Sequence, residues 1–486
     1  MASHWSTKSR PHYRSTFATG SATNSTPQTP PPPFGPLLQT VSIEDLADSS
    51  KKFANSAAIR DVQVITSYNW VDRKGANPTI LVPGMFLFLN SCHQPFLTHL
   101  LAGKPPLWTP PAITPQLRQD DGTYFRDKNA AQYPKHPIEP GVVACLNTNP
   151  SLPTEIDIMA CSSTLGNLLR FVRGSGQDKP FRMLAEKIGN TIFFVRRENS
   201  PTELIPDVRG YGHTFPEAYT TWESEVKGSC SHQRLLRYSF GGLDFGVRFG
   251  ADGYIKPARK AGPSQPPMMK EKSPSVNDLI GTLSGIAVAS PNNTPPFGAL
   301  KVKAAGNVVD QENVFDLKTR SIFTKDKKEH LVDELPRLWV AQIPFFILAF
   351  HRSGFFAPSE IQIKDVRANV KAWERIEATN LARLAALVHR LVDIVSNTPS
   401  SKVELRCCEV RKLEVREILP EVGNILSPEV RARWESQCNT RDGVYDEKYY
   451  DSDSDRDDRL SWDEGSEKDF TACSADDCGY CGHCPY

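Results

Sequence analysis

Two stretches decide the fold: Asp244-Phe245-Gly246-Val247-Arg248-Phe249-Gly250-Ala251-Asp252 and Val314-Phe315-Asp316-Leu317-Lys318-Thr319-Arg320. In a β-strand alternate residues share a face. Phe245, Val247, Phe249 and Ala251 therefore line an apolar face, and Asp244, Arg248 and Asp252 point the other way. In the second stretch Phe315 and Leu317 go inward while Asp316, Lys318 and Arg320 project together. If the two strands pair, Asp252 and Asp316 face one site, with Lys318 two residues on. That set suits metal-assisted phosphodiester hydrolysis. Mg²⁺ takes one or two carboxylates, keeps waters and accepts phosphate oxygens. The metal acidifies a bound water and offsets charge on the leaving oxygen, and a lysine steadies water or phosphate. The same acid-x-base pattern also describes an ordinary solvated strand face.

Working outward, Val62–Trp70, Thr191–Arg197, Leu300–Ala305 and Lys402–Ile418 read as strands, and Ile156–Phe171 as a strand running into a helix. Glu217–Lys227 reads as a helix with Thr214 as its N-cap candidate. Leu338–Phe350 is apolar nearly all round, which buries it if helical, and Pro344 would kink that helix or delay its start. Across 364–396, Val366, Val370, Trp373, Ile376, Leu384, Leu387, Leu391 and Ile394 recur at helical spacing and give one long amphipathic helix. The expected class is α/β (α+β), a mixed sheet flanked by helices. It forms one domain over 56–440, interrupted by a proline-rich flexible insert at 256–296.

Residues 1–55 read as a disordered Ser/Thr/Pro-rich arm. With Lys8, Arg10 and Arg14 and no acid before Glu44, a mitochondrial presequence is its alternative reading. No run of about 18 apolar residues is present, so no membrane helix is expected. Met1–Arg14 lacks the apolar stretch of a secretory signal. The 11 cysteines are then expected to be reduced thiols, in a protein of the nucleus or cytoplasm, or of the mitochondrion. The net charge of +1 conceals an asymmetry: Asp442–Asp469 holds twelve acidic and four basic residues, which leaves +9 on the rest. A basic body suits an anionic partner, nucleic acid above all, with the acidic linker at 441–472 either competing for that surface or simply solubilising the chain.

The carboxylate strands resemble the PD-(D/E)XK nuclease superfamily. That resemblance adds Glu217 as a further carboxylate and Gln342, four residues before Phe346, as a counterpart of its Gln-x-x-x-Tyr helix. The collinear run Asp157–Leu165, Gly189–Val195, Gly212-His213-Thr214-Phe215-Pro216-Glu217, Gly250-Ala251-Asp252, Asp316-Leu317-Lys318 and Trp339–Arg352 is similar to the eukaryotic decapping nuclease (DXO-type) family across roughly 150–360. The resemblance implies that Glu217, Asp252 and Asp316 hold Mg²⁺ or Mn²⁺, that Lys318 orients water or phosphate, and that Gln342 braces the site. Arg248 and Arg320 are candidates for phosphate contact, with RNA the favoured substrate. Three positions depart from the family pattern: Ser162 replaces its motif arginine, Gly250 replaces the first acid of Glu-x-Asp, and Asp316 is a shorter acid. A catalytically inactive relative that binds nucleic acid, or that partners an RNA-processing enzyme, is the alternative.

Ser67-Tyr68-Asn69-Trp70, Pro105-Pro106-Leu107-Trp108, Phe125–Ala131 and the cysteine-rich end resemble a fungal family often labelled geranylgeranyl pyrophosphate synthetase. Prenyl synthases are all-helical with two Asp-rich motifs on facing helices. The comparable string here, Asp457-Asp458 to Asp463, lies in low-complexity sequence, so prenyl transfer is the least favoured reading. At the chain's end, Cys473, Cys478, Cys481 and Cys484 have the spacing of a zinc or iron–sulfur site, or are unliganded thiols. The fungal pattern runs straight from Pro83-Gly84 to Lys104-Pro105, whereas Met85–Gly103 here is apolar and patternless. It reads as a retained intron or a buried hairpin. Sequencing the transcript decides between them: a spliced message lacking these codons is expected, and an intact message rejects the intron.

Overall fold

Alternating β-branched and aromatic residues build two sheets in the computed structural model, which describes residues 31–71, 78–82, 103–175, 180–205, 208–256, 300–327, 329–409 and 411–438. The strands are β1 (Leu37–Ser42), β2 (Arg60–Val71), β3 (Thr79–Val82), β4 (Leu107–Trp108), β5 (Ile158–Cys161), β6 (Phe181–Ile188), β7 (Thr191–Arg196), β8 (Thr220–Thr221) and β9 (Ser229–Phe240). They continue as β10 (Leu243–Gly250), β11 (Gly253–Tyr254), β12 (Lys301–Ala304), β13 (Val314–Ser321), β14 (Phe345–His351), β15 (Ile361–Asp365), β16 (Lys402–Glu409) and β17 (Lys412–Arg416). The large sheet has the order β1-β17-β16-β6-β7-β5-β10-β9-β2-β3-β12 and the small one β15-β14-β13-β11-β4-β8. Parallel and antiparallel pairs occur in both, so the mixed-sheet expectation holds. Strands on this scale exclude the all-helical fold that a prenyl synthase needs.

The helices used below are α1 (Glu139–Thr148), α2 (Ser162–Arg173), α3 (Thr214–Tyr219), α4 (His330–Ala341), α5 (Arg367–Ile376), α6 (Ala378–Asn397) and α7 (Pro428–Cys438). Three cores follow from strand alternation. Phe245, Val247, Phe249 and Ala251 meet α2, α4 and α6 in the main core, as the sequence predicts. The opposite face of the large sheet packs against α1 and α7. Phe315, Leu317, Ile347 and Ala349 on the outer face of the small sheet are covered by Phe215 and Tyr219 of α3.

Several sequence expectations change. Leu338–Phe350 is not one helix: α4 begins earlier and ends at Ala341, Gln342 takes a left-handed φ of 50°, and the chain resumes as β14. Pro344, without an N–H and hostile to helix before it, is consistent with that stop. The Glu217 helix starts at Thr214, with His213 rather than Thr214 at its N-cap, and ends at Tyr219. The long helix across 364–396 divides into α5 and α6 at Glu377, leaving Ile376 81% exposed at the break. Residues 37–55 of the expected arm are folded, β1 pairing with β17. Residues 1–30, 85–102, most of 256–296, the acidic 441–472 and the cysteine motif at 473–484 lie outside the described residues.

Candidate functional site: the charged layer between the sheets

The two diagnostic strands belong to different sheets, contrary to the simple pairing expectation. After Gly250 ends β10, Asp252 leads into β11, which pairs with β13 so that Gly253 faces Phe315. This short crossing brings the acids together. The Leu317 N–H donates to Asp252 Oδ2 at 2.7 Å, one residue beyond Asp316. The expected neighbourhood of Asp252, Asp316 and Lys318 therefore exists.

Its electrostatics differ from a metal site. Asp316, Lys318 and Arg320 project from β13 toward the main core, the reverse of the expectation that Phe315 and Leu317 take the inward side, because α4, the crossover helix between the parallel strands β13 and β14, covers the charged face while α3 covers the aromatic one. Asp316 is 1% exposed and Lys318 is also buried. Arg337 of α4 takes both Asp316 oxygens in a fork, Nη1 on Oδ2 and Nη2 on Oδ1, the latter at 2.6 Å. The same guanidinium donates to Glu334 Oε2 from Nε at 3.1 Å and Nη2 at 2.9 Å. Arg320 reaches Glu334 Oε1 at 3.5 Å.

Burial lifts the Asp316 carboxyl, Arg337 opposing and the Glu334 charge adding; the bidentate fork is the geometry of an ionised carboxylate. Against the burial that would raise it, Lys318, Arg337 and Arg320 hold Glu334 down at about 2. Burial works against the Arg337 charge too, yet Asp316 and Glu334 raise its pKa well above the usual arginine value.

A divalent ion does not fit these partners. The guanidinium fills the position between Asp316 and Glu334 that a cation would take, and Asp252 Oδ2 is engaged by backbone. Glu217 is exposed on α3, which packs on the Phe315 and Leu317 face, opposite to Asp316. Among the described residues no group of three His, Cys, Asp or Glu side chains is placed to hold a metal. Gln342 caps α4: its side chain donates to the Trp339 carbonyl and its own carbonyl accepts from Gln311 Nε2 at 2.9 Å. Phe346 lies on β14, not on a shared helix.

Arg248 points to the α1 side of the large sheet, away from Asp316. It is buried there, its Nη1 donating to Gln233 Oε1 at 2.6 Å. Arg320 donates to the Thr319 carbonyl as well as meeting Glu334. Both arginines expected on phosphate are thus engaged internally. Ser162 opens α2 beside Arg248, since Cys161 and Arg248 are register partners.

Sequence reasoning missed Glu334 and Arg337. The available signal was Leu331-Glu334-Leu335-Leu338, a core stripe at i, i+3, i+4 and i+7 with an acid inside it. It also missed the fully buried Arg234, which donates to Gln311 Oε1 at 3.0 Å and the Val309 carbonyl at 2.7 Å.

Around α3, Asp120 accepts from the His213 and Thr214 N–H groups at 3.0 and 2.9 Å, and Tyr124 stacks on His213 with ring centroids 3.6 Å apart. Burial, with Lys128 adding, lowers His213 to about 3, and burial lowers His351 to about 4. Both rings are neutral in the fold.

Two outcomes follow. Arg337→Met leaves two buried acids without their shared cation and should cost about 3–5 kcal/mol in urea unfolding, whereas Asp316→Leu combined with Arg337→Met should recover most of that loss. Stability should fall as pH drops below the ordinary histidine value of 6.5 toward 4 and 3, because unfolded histidines take protons that folded His351 and His213 refuse. Denaturation at stepped pH checks this: His213→Gln with His351→Gln should make that limb shallower, the remainder coming from His232, which burial and then Arg234 also hold well below the ordinary value.

No curated protein matches the chain in sequence. Rai1 of Scheffersomyces stipitis, solved with (3′-NADP)+ and calcium, is 11% identical with a TM-score of 0.48, covering 83% of this chain and 99% of that one. Candida albicans Rai1, solved with pU5 and Mn²⁺, is 10% identical with a TM-score of 0.47, covering 79% and 98%. K. lactis Dxo1, solved with manganese, is 10% identical with a TM-score of 0.40, covering 79% and 99%. The chain is similar in structure to these Rai1 and Dxo1 proteins. The family model that matches residues 42–410 is DUF8563, a domain of unknown function, and the chain belongs to that family.

Proposed function

We propose that this protein is a nucleic-acid-binding member of a nuclease-like fold whose interior carboxylates hold the structure together rather than hydrolyse phosphodiesters. RNA is the favoured partner. The observation that carries the reading is the Arg337 fork on Asp316, with Glu334 on the same guanidinium. The buried guanidinium occupies the bidentate side of the Asp316 carboxylate and lies between it and Glu334, where Mg²⁺ or Mn²⁺ shared by the two acids would sit. The charge asymmetry supports binding: +9 outside the acidic linker favours a polyanion.

A divergent Mg²⁺- or Mn²⁺-dependent nuclease acting on RNA 5′ ends is the second reading. One observation favours it: Asp252, Asp316 and Lys318 do converge on the paired strands β11 and β13. It requires Arg337 to leave both carboxylates before a metal can enter.

Short RNAs bearing triphosphate, capped or monophosphate 5′ ends, incubated with the full chain in Mg²⁺ or Mn²⁺, test the proposal. Salt-sensitive binding without metal-dependent cleavage is expected. Cleavage that disappears in Asp252→Asn, a less buried change than one at Asp316, would establish the nuclease instead.

A further inference from the structure

On the outer face of β6, β16 and β17, four arginines share two carboxylates: Arg182 and Arg197 meet Glu404, and Arg406 and Arg416 meet Glu414. The inner face of the same strands is apolar core, with Met183, Leu405 and Val415 fully buried. The other face is mixed: Leu184 and Ile188 of β6 pack toward α7 in the second core, and the arginine cluster lies beside them with Glu404 1% exposed.

Residues 32–35 lie across this face. The Phe34 ring has guanidinium carbons over it at 4.0 Å from Arg406, 4.3 Å from Arg182 and 5.5 Å from Arg416. Arg182 donates to the Pro32 and Pro33 carbonyls at 2.7 and 3.2 Å, and Arg416 to the Gly35 carbonyl at 2.9 Å. Prolines carry no backbone N–H, so this stretch offers the arginines mostly acceptors and one aromatic face. An unstacked base with flanking phosphate oxygens offers the same chemistry, and arginine planes are a common platform for it. Phe34 remains 36% exposed, held at its rim rather than sealed in. Just beyond, the Glu417 N–H fixes the Pro36 carbonyl at 2.9 Å and β1 begins, so the segment is anchored at one end.

We propose that the arginine face of β6, β16 and β17 is a binding surface for single-stranded RNA, and that Phe34 with its flanking carbonyls is a displaceable cover occupying the place of a base and its phosphates. The inference rests on the RNA-binding reading above and adds where the strand binds and what regulates it. Incoming strand exchanges neutral carbonyls for charged phosphate oxygens on the same donors, and charge-assisted bonds are the stronger.

The test compares full-length wild type, Phe34→Ala, and Phe34→Ala combined with Arg406→Ser, using a short fluorescent single-stranded RNA at fixed salt and a thermal melt of each protein. Arg406 is the most exposed of the four, and Glu414 keeps Arg416 when it is removed. Phe34→Ala should bind roughly fivefold to tenfold more tightly, the gain expected from deleting a few competing cation–π contacts. Arg406→Ser should abolish that gain in a folded protein. If Phe34→Ala binds RNA no more tightly than wild type and melts lower, residues 32–35 are a structural tether; this inference falls and the RNA-binding reading stands. If neither protein binds RNA, both fall.

Discussion

Arg337 holds two buried carboxylates at once, and the centre of the molecule depends on that contact. Asp316 comes from the strand of a β-α-β unit, Glu334 and Arg337 from its crossover helix. Each charge taken from water costs several kcal/mol, and the cost is recovered only where geometry is good and the remaining hydrogen bonds are filled. Here the fork is bidentate on one acid, and the second acid receives two more N–H groups from the same guanidinium. Lys318 and Arg320 complete the layer. Helix α4 is therefore fixed on the small sheet by charge as well as by Leu331, Leu335 and Leu338.

That constraint places two acids and a lysine close together with an arginine as their shared cation. The strands still deliver Asp252 and Asp316 to adjacent positions, because β11 crosses from the large sheet to pair with β13. The cation between the acids is the Arg337 guanidinium. A planar guanidinium accepts no water and polarises none, so it satisfies carboxylates without supplying a nucleophile. A second cluster of arginines lies elsewhere, on β6, β16 and β17, where Arg182 meets Glu404 and Arg406 and Arg416 meet Glu414.

Much of the fold was legible. Period-two alternation in 245–251 and 314–320 put the right residues in the core, and the strand-to-helix turn at Cys161 and Ser162 was readable. The Leu338–Phe350 misreading has a physical cause. A run apolar on every side has no periodicity, so a helix end and a buried strand look alike, and Pro344 alone marks the boundary. The division at Glu377 was illegible because the apolar spacing continues nearly in phase across it.

The site was legible in its residue types but not in its partners. Readable from residue order alone were the mixed α/β class, the division of each diagnostic strand into two alternating faces, and the convergence of acidic and basic residues on β13. Those properties follow from local alternation and side-chain chemistry, which need no knowledge of distant contacts. Tertiary packing set the rest: the Asp316 face is closed by α4, Arg337 meets the carboxylates, and Arg248 points away. The reason is that charge burial is a property of what packs above a strand. A solvated acid and a desolvated one are the same letter until the covering helix is in place.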